Sequence, residues 1–526
     1  MKKTLAILLM LAMLCGCVSA MASERETLTI LIAEDTLIID FEENKMTKYI
    51  EENCNVNLDF VLLPATDPAQ KLQLMINSGE KLPDVICYDM NVSTAFAYAQ
   101  AGALIPIEDL YEKYSVKLKA AVEKYPELML LEQVTAADGH MYGMPKYMGS
   151  LNNNTKYRYW INYKWLENLD MELPTTTEEF YEVLKAFKEK DPNGNGVADE
   201  IPLAGAWSND TSTYNLIPML MNSFIYCDPA KDYLYAEDGK IIAAYAQEGW
   251  KAGLEYMNKL CEEELLDPAS FTQTSSQLLA TLGNAEACIL GTYAVQGMKD
   301  SYPDEFDILL PLEGPTGLRQ INWFPTTAIG AWFITADCKN PELAFKVGDF
   351  LADDEGYCVS RYGEENVDWW WVEEGSTSLY GLPNAFFDTP EDTGDYVNPW
   401  TKATSQSWRQ KGPIVSPVGA DGNKQDDVSK MKPASVKTNA AIGELQKYKP
   451  ADGTWLTMLN YTADEEFAIN DIKATIDTYV VESMVRFITG DMDIATEWDA
   501  YLAELNNMGL ETYITTAQAA YDRMIK

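Results

Sequence analysis

Apolar positions at the start of the chain fall in short runs separated by polar, turn-forming stretches. Thr27 to Ala33 is an apolar strand followed by the polar loop Glu34, Asp35 and Thr36, and Val56 to Leu63 is a second strand. The pattern predicts a helix between them, from about Phe41 to Asn53. A further helix, Ala69 to Ser78, is closed by Gly79, and Pro83 bounds a third strand over Asp84 to Tyr88. Strands alternating with helices at this spacing predict an α/β protein built on a parallel, doubly wound sheet. Ligands of such sheets bind beyond the carboxyl ends of the strands. Glu34, Asp35, Asp89 and Asn91 are therefore placed at the rim of a cleft, with a plain solvated loop as the alternative for each.

Farther along, Gly239 to Leu266 reads as a short strand and a helix, and Glu286 to Ala294 as an apolar strand containing Gly291 and Tyr293. Phe306 to Leu312 is another apolar strand, and Pro341 to Leu351 is a helix with proline in its first turn. Thr389 to Asp427, rich in Gly, Pro, Asp and Ser, is the loosest region.

One polar stretch stands apart from this pattern. In Asp191-Pro-Asn-Gly-Asn-Gly-Val-Ala-Asp-Glu-Ile-Pro202, oxygen-bearing side chains recur at Asp191, Asn193 and Asn195, then at Asp199 and Glu200. Calcium takes six to eight oxygens from a flexible backbone, so alternate donors suit it. Gly194 and Gly196 allow sharp bends, and the carbonyl of Val197 stands where an EF-hand loop supplies a main-chain oxygen. The match is partial, because position twelve is Pro202 and Glu200 would have to act two residues early. A metal-free Asx/Gly turn is the alternative, and a structural calcium ion is favoured.

Charge narrows the partners. With 81 acidic against 40 basic residues, the net charge of −41 disfavours nucleic acid and anionic membranes. The length, 526 residues, is too great for one core and suits two large lobes. Lys2 and Lys3 followed by the apolar run Leu5 to Leu14 read as an export signal over residues 1–22. Leu14-Cys-Gly-Cys17 reads as a lipobox that would lipidate Cys17, while Ala20-Met-Ala22 is a competing site for ordinary cleavage; lipidation is favoured. No second apolar run is long enough to span a bilayer.

Seven of the nine cysteines lie beyond the signal, scattered and odd in number, which argues against a complete disulfide framework. His140 is the only histidine, so nucleophilic triads and zinc sites are starved of ligands. A pair of glycosidase carboxylates is not excluded by counting.

The loop at 191–200, the capped amphipathic helix over 174–190 and the stretch Trp160 to Leu169 follow one another in an order with a clear counterpart. The succession resembles the extracellular solute-binding proteins that serve ABC importers, especially the large lipoprotein branch whose characterised members bind oligosaccharides. Gly102 to Leu110 and Asp138 to Pro145 resemble further stretches of that family.

The resemblance implies a two-lobed periplasmic-binding-protein-like fold, each lobe a sheet flanked by helices, joined by a hinge. The N-terminal lobe would comprise 23–146 plus 311–352, and the C-terminal lobe 147–310 plus 353–526, with Phe306 to Leu312 as the strand returning to the first lobe. It further implies calcium in the loop, and a sugar or oligosaccharide ligand that closes the lobes and docks them on permease subunits. The expected protein is a monomer tethered at the extracellular face of the membrane through its lipid anchor alone. Sugar rings pack on indole and phenol faces, so Trp207, Tyr293, Trp323, Trp369 and Trp400 become candidate contacts, with core burial as the alternative. Trp369, Trp370 and Trp371 are consecutive, so at least one should be packed. The rival readings are a secreted glycosidase or lyase, and a surface carbohydrate-binding protein without a transport role.

Overall fold

The computed structural model describes residues 25–207, 212–283, 288–300, 302, 304–390, 399–400, 402–424, 431–459 and 461–525. The signal over 1–22 and Cys17 lie outside the described residues. The opening apolar run is β1, Glu26–Ala33, in which Leu28, Ile30, Leu31 and Ile32 are all buried. Burial on both faces explains why the second half of the strand, Ile30 to Ala33, is continuously apolar and does not alternate. Helix Lys45–Cys54, capped by the Asn44 side chain, leads to β2, Val56–Leu63. Helix Pro68–Ser78 then leads to β3, Val85–Cys87. β1 pairs in parallel with β2 and with β3, as the alternation of strand and helix predicts.

After β4, Gly143–Met148, the chain enters a second unit. There it forms β5, Tyr159–Asn162, and helix Thr177–Glu189, whose N-terminus is a capping box of Thr176 and Glu179. β6, Ile201–Ala204, the hairpin of β7, Leu234–Glu237, with β8, Lys240–Ala243, and helix Glu248–Glu262 come next. β9, Leu290–Ala294, and β10, Phe306–Leu309, complete a four-stranded sheet in the order β10-β5-β9-β6. Helices Ala463–Thr489, Ile494–Asn507 and Leu510–Met524 pack with Glu248–Glu262, burying Trp250, Leu254, Val480, Phe487, Trp498 and Tyr513 in one cluster.

β11, Ile329–Ile334, belongs to the first unit. β12, Trp370–Ser376, β13, Ala385–Asp388, β14, Val415–Ser416, and β15, Asn423–Lys424, follow. The first unit's sheet has the order β14-β4-β11-β3-β1-β2. β11 is antiparallel to both β3 and β4, so β4 runs in the direction of β1 and β3. Loops after β1 and β3 and the far end of β4 therefore share one edge of the sheet.

The units differ from the expected lobes in three places. The first unit ends at Tyr147 and resumes as Ala328–Trp370 and Thr389–Ser416; the second holds Met148–Thr327, Trp371–Asp388 and Pro417–Lys526. Phe306–Leu309 does not return to the first sheet but pairs antiparallel with β5, and β11 takes its place. Residues after 352, assigned to the C-terminal lobe, supply two pieces of the first unit. Trp408 packs edge-on against Phe41 and Phe60, and its indole N–H donates to the Thr47 hydroxyl. Tertiary burial of that ring ties the late segment to an early core.

The chain passes from the first unit to the second at 147/148 and again at 416/417, and these passages touch. The Tyr147 amide donates to the Ile414 carbonyl at 2.7 Å. A Cβ on Gly149 would lie 1.6 Å from the Pro417 carbonyl oxygen, and one on Gly419 would lie 2.3 Å from that of Gly149. Among the described residues no helix is long and apolar enough to cross a membrane.

Candidate functional site

The loop after helix Thr177–Glu189 is folded by its own oxygens. Asp191, in a left-handed conformation, accepts the Asn195 amide on Oδ1 at 3.1 Å and the Gly196 amide on Oδ2 at 3.0 Å. Asn193 Oδ1 also accepts from the Asn195 amide, Asn195 Oδ1 accepts from the Val197 amide, and Asn195 Nδ2 donates to Asp199. Gly194 and Gly196 both take positive φ, as the bends require. Asn168 Nδ2 pins the Pro192 carbonyl from outside.

Glu200 is the exception. Both its carboxyl oxygens are buried, and neither accepts a well-formed hydrogen bond. Burial, with Asp191 and Asp199 nearby, holds its pKa above the ordinary carboxylate value, against the pull of the adjacent amides. A buried acid without a donor is costly, and a cation would supply what it lacks. Among the described residues no three acidic, cysteine or histidine side chains converge on one point, so any ion here would rely also on Asn oxygens and the Val197 carbonyl.

A second constellation lies at the carboxyl edge of the first unit's sheet. Asp35, just past β1, accepts the Leu37 amide on Oδ1 at 2.9 Å and Arg409 Nη1 on Oδ2 at 2.5 Å. Burial would raise its pKa, but the Leu37 amide, Arg409 and Lys411 outweigh it and hold the carboxyl below its usual range. Asp89, just past β3, pairs with Lys146 of β4 at 2.7 Å. Asn91 is a helix cap, accepting the Thr94 amide at 2.7 Å, and Glu34 is exposed. Glu34 and Asp35 also line a cavity of about 480 Å³ with Ile38, Ile39, Phe60 and Leu62.

Lys146, Arg409 and Lys411 went unrecognised in the sequence, and Lys146 stands within an otherwise apolar strand where a charge is itself a signal. The turn carrying the other two is unusual: Arg409, Gln410 and Gly412 all have positive φ, at 50°, 63° and 113°. Left-handed backbone costs a non-glycine residue about 1–2 kcal/mol, and it persists where surroundings over-determine it. The pair to Asp35 and the Gln410 amide donating to the Ser360 carbonyl do so here.

The aromatic candidates separate. Tyr293 is 1% exposed, in mid-sheet β9 between β5 and β6, with its ring 5.0 Å from Phe306. Trp369 is wholly buried and donates its indole N–H to the Gly363 carbonyl. Both are core residues, and the expectation that they face ligand is corrected: burial in sheet and turn, not display, is what their apolar bulk serves. Trp370 and Trp371 are exposed, so one ring of the triplet is packed. Trp323 is nearly buried, hydrogen-bonded through its backbone to Tyr226 and close to Trp455, which also removes it from the accessible candidates. Trp207 is half-buried against Phe271. Trp400 is half-buried beneath the guanidinium groups of Arg361 and Arg409, at 4.6 and 4.5 Å from its ring.

His140 is on the surface, paired with Glu108, and none of the seven described cysteines is in a disulfide. A buried thiol such as Cys87, pushed up to about 12, is a packing group and not a nucleophile.

The family model for bacterial extracellular solute-binding proteins matches residues 35–357. The chain belongs to that family. Along 521 residues this binding protein is 27% identical to the fructooligosaccharide ABC transporter substrate-binding protein FusA of Streptococcus pneumoniae, covering 95% of this chain and 91% of that one. A solved structure of FusA in complex with kestose has a TM-score of 0.66 and 26% identity, over 95% of this chain and 99% of that one. A structure of a FusA EF-hand mutant in complex with fructo-nystose has a TM-score of 0.65 and 25% identity, with the same coverage.

Proposed function

We propose that this binding protein is the receptor of an ABC importer for a neutral oligosaccharide, which it holds and does not cleave. The observation that carries the reading is the polar cluster at the carboxyl edge of the first unit's sheet, beside a cavity with both carboxylates and exposed apolar side chains. Carboxylates accept from sugar hydroxyls, while exposed Ile39 and Leu62 match the C–H faces of a ring. Trp207 and Trp400 are the half-buried aromatics left as candidate contacts. The similarity to FusA, along nearly the whole chain, supports a fructooligosaccharide as the first ligand class to test. Calorimetric titration with kestose and other neutral trisaccharides, with the sugar recovered and analysed afterwards, tests this. Binding with intact sugar supports a receptor; absence of binding, or cleavage, overturns it.

A calcium ion is the proposed occupant of the second unit's loop, held by Asp191, Asn193, Asn195, the Val197 carbonyl, Asp199 and Glu200. The buried Glu200 oxygens support this, as does the existence of an EF-hand in FusA. The ion would supply positive charge and cross-link the loop. Cys17 is the proposed lipid anchor of a monomeric receptor at the extracellular face; Cys17→Ala should move the protein from membrane to medium, and unchanged partition would refute the anchor.

A further inference from the structure

The cluster at the edge of the first unit's sheet leaves one cation with only a long ion pair. Lys411 has a side chain only 24% exposed, and its ammonium lies 4.0 Å from Asp35 Oδ2, too far for a hydrogen bond. Asp35 already accepts the Leu37 amide on Oδ1 and Arg409 on Oδ2, and at 4.0 Å the Lys411 ammonium stays out of hydrogen-bond reach of Oδ2. Lys146, a like charge that repels Lys411, is paired with Asp89. Among the described residues no hydrogen bond is made by the Lys411 ammonium. A half-buried ammonium held by a strained turn and left without an acceptor is poised for one that comes from outside.

We propose that Lys411 is a ligand-contacting, specificity-determining residue, whose ammonium donates to a hydroxyl of an uncharged sugar bound at the carboxyl edge of the first unit's sheet. This assignment rests on the receptor reading above. Its position supports it: Lys411 follows two left-handed residues and lies just before β14, at the edge shared by the ends of β1, β3 and β4. Burial lowers its pKa, as does the like charge of Lys146, against the pull of Asp35 and Asp89, so the ammonium is partly desolvated and gains from each bond it makes. The surrounding charges choose the partner. Glu34, Asp35, Asp40, Glu42 and Asp89 stand against Lys146, Arg409 and Lys411, with Arg361 over the same Trp400 ring as Arg409, so the acids still outnumber the cations. A uronic-acid oligomer meets net repulsion there, whereas a hydroxyl accepts the bond without adding charge.

The test titrates the full chain with neutral trisaccharides (kestose, maltotriose and cellotriose) and with trigalacturonate, and melts each protein without sugar. Lys411→Met is expected to weaken neutral-sugar binding tenfold or more while melting at or above the wild-type temperature. Lys411→Gln, which keeps a donor, is expected to recover part of the affinity. Native affinity in Lys411→Met overturns the assignment. So does a fall of several degrees in its melting temperature, which would mark Lys411 as a structural residue, and so does tighter binding of trigalacturonate by the wild type. If the wild type binds no neutral trisaccharide, the receptor reading fails and takes the assignment with it. If the wild type binds and only the variants behave otherwise, the assignment fails alone.

Discussion

Two polar sites, one in each unit, are built on opposite plans. The loop at 191–200 gathers its oxygens within ten residues, and its hydrogen bonds are almost all internal. The cluster in the first unit is assembled from Asp35, Asp89, Lys146, Arg409 and Lys411, which only the fold brings together. Their leftovers differ in sign. The loop ends with the Glu200 carboxyl oxygens buried and without a donor, the cluster with the Lys411 ammonium in only a long ion pair to Asp35. On the readings proposed above, the group left over in each site points to its occupant: a cation in the first case, a hydrogen-bond acceptor in the second.

The strongest blow to this contrast would come from Arg409→Ala. It removes the partner of Asp35, a pair whose side chains are only 16% and 17% exposed, and breaking such a pair costs about 3–5 kcal/mol. A clear drop in denaturant midpoint is expected, and a variant as stable as the wild type would show that the chain does not supply the cluster's balance.

Next in size is the response of the loop to metal. Calcium at a hundred times its dissociation constant should stabilise the native protein by about 2.7 kcal/mol, and a chelator should remove that gain. Glu200→Gln should largely abolish the response. No shift in the wild type would reduce the loop to a turn and end the comparison.

A third buried acid sharpens it. Among the described residues no cation offsets the burial of Asp421: burial pushes its pKa up to about 7, and the Leu151 amide and Tyr380 hydroxyl pull only weakly the other way. Because the folded value lies above the unfolded 3.8, stability is lost as pH rises from about 4 through 7, and the penalty is complete above that. The full shift corresponds to at most about 4 kcal/mol, and a buried amide retains part of it, so Asp421→Asn should gain about 1–2 kcal/mol at pH 8. The advantage should vanish near pH 4. Equal stability curves across that range would show that burial alone does not set the cost.

How much of this was legible follows the same divide. The parallel core could be read because β1 ends in the continuous apolar run Ile30 to Ala33, and the oxygen loop because its spacing is local. Periodicity marks 306–312 as a strand but carries no information on its neighbour, and 306–309 pairs with β5 and not with the first sheet. Tyr293 failed for a related reason: an aromatic at the end of an apolar strand looks the same whether the strand lies at an edge or, as here, between two others. The cations of the first cluster were silent because Arg409 and Lys411 sit in the loosest-looking stretch, more than 370 residues from Asp35.

The contact between the two passages at 147–151 and 415–421 has a consequence for heredity. Gly149 and Gly419 leave no room for even one methyl group, and Leu151 donates to Asp421 across the same seam. Neither stretch can drift or be swapped without the other. In chimeras between distant relatives, crossovers that split this pair should yield insoluble protein, while those that move both stretches together should be tolerated. The two passages, 270 residues apart in the chain at Leu151 and Asp421, form a single cassette for recombination.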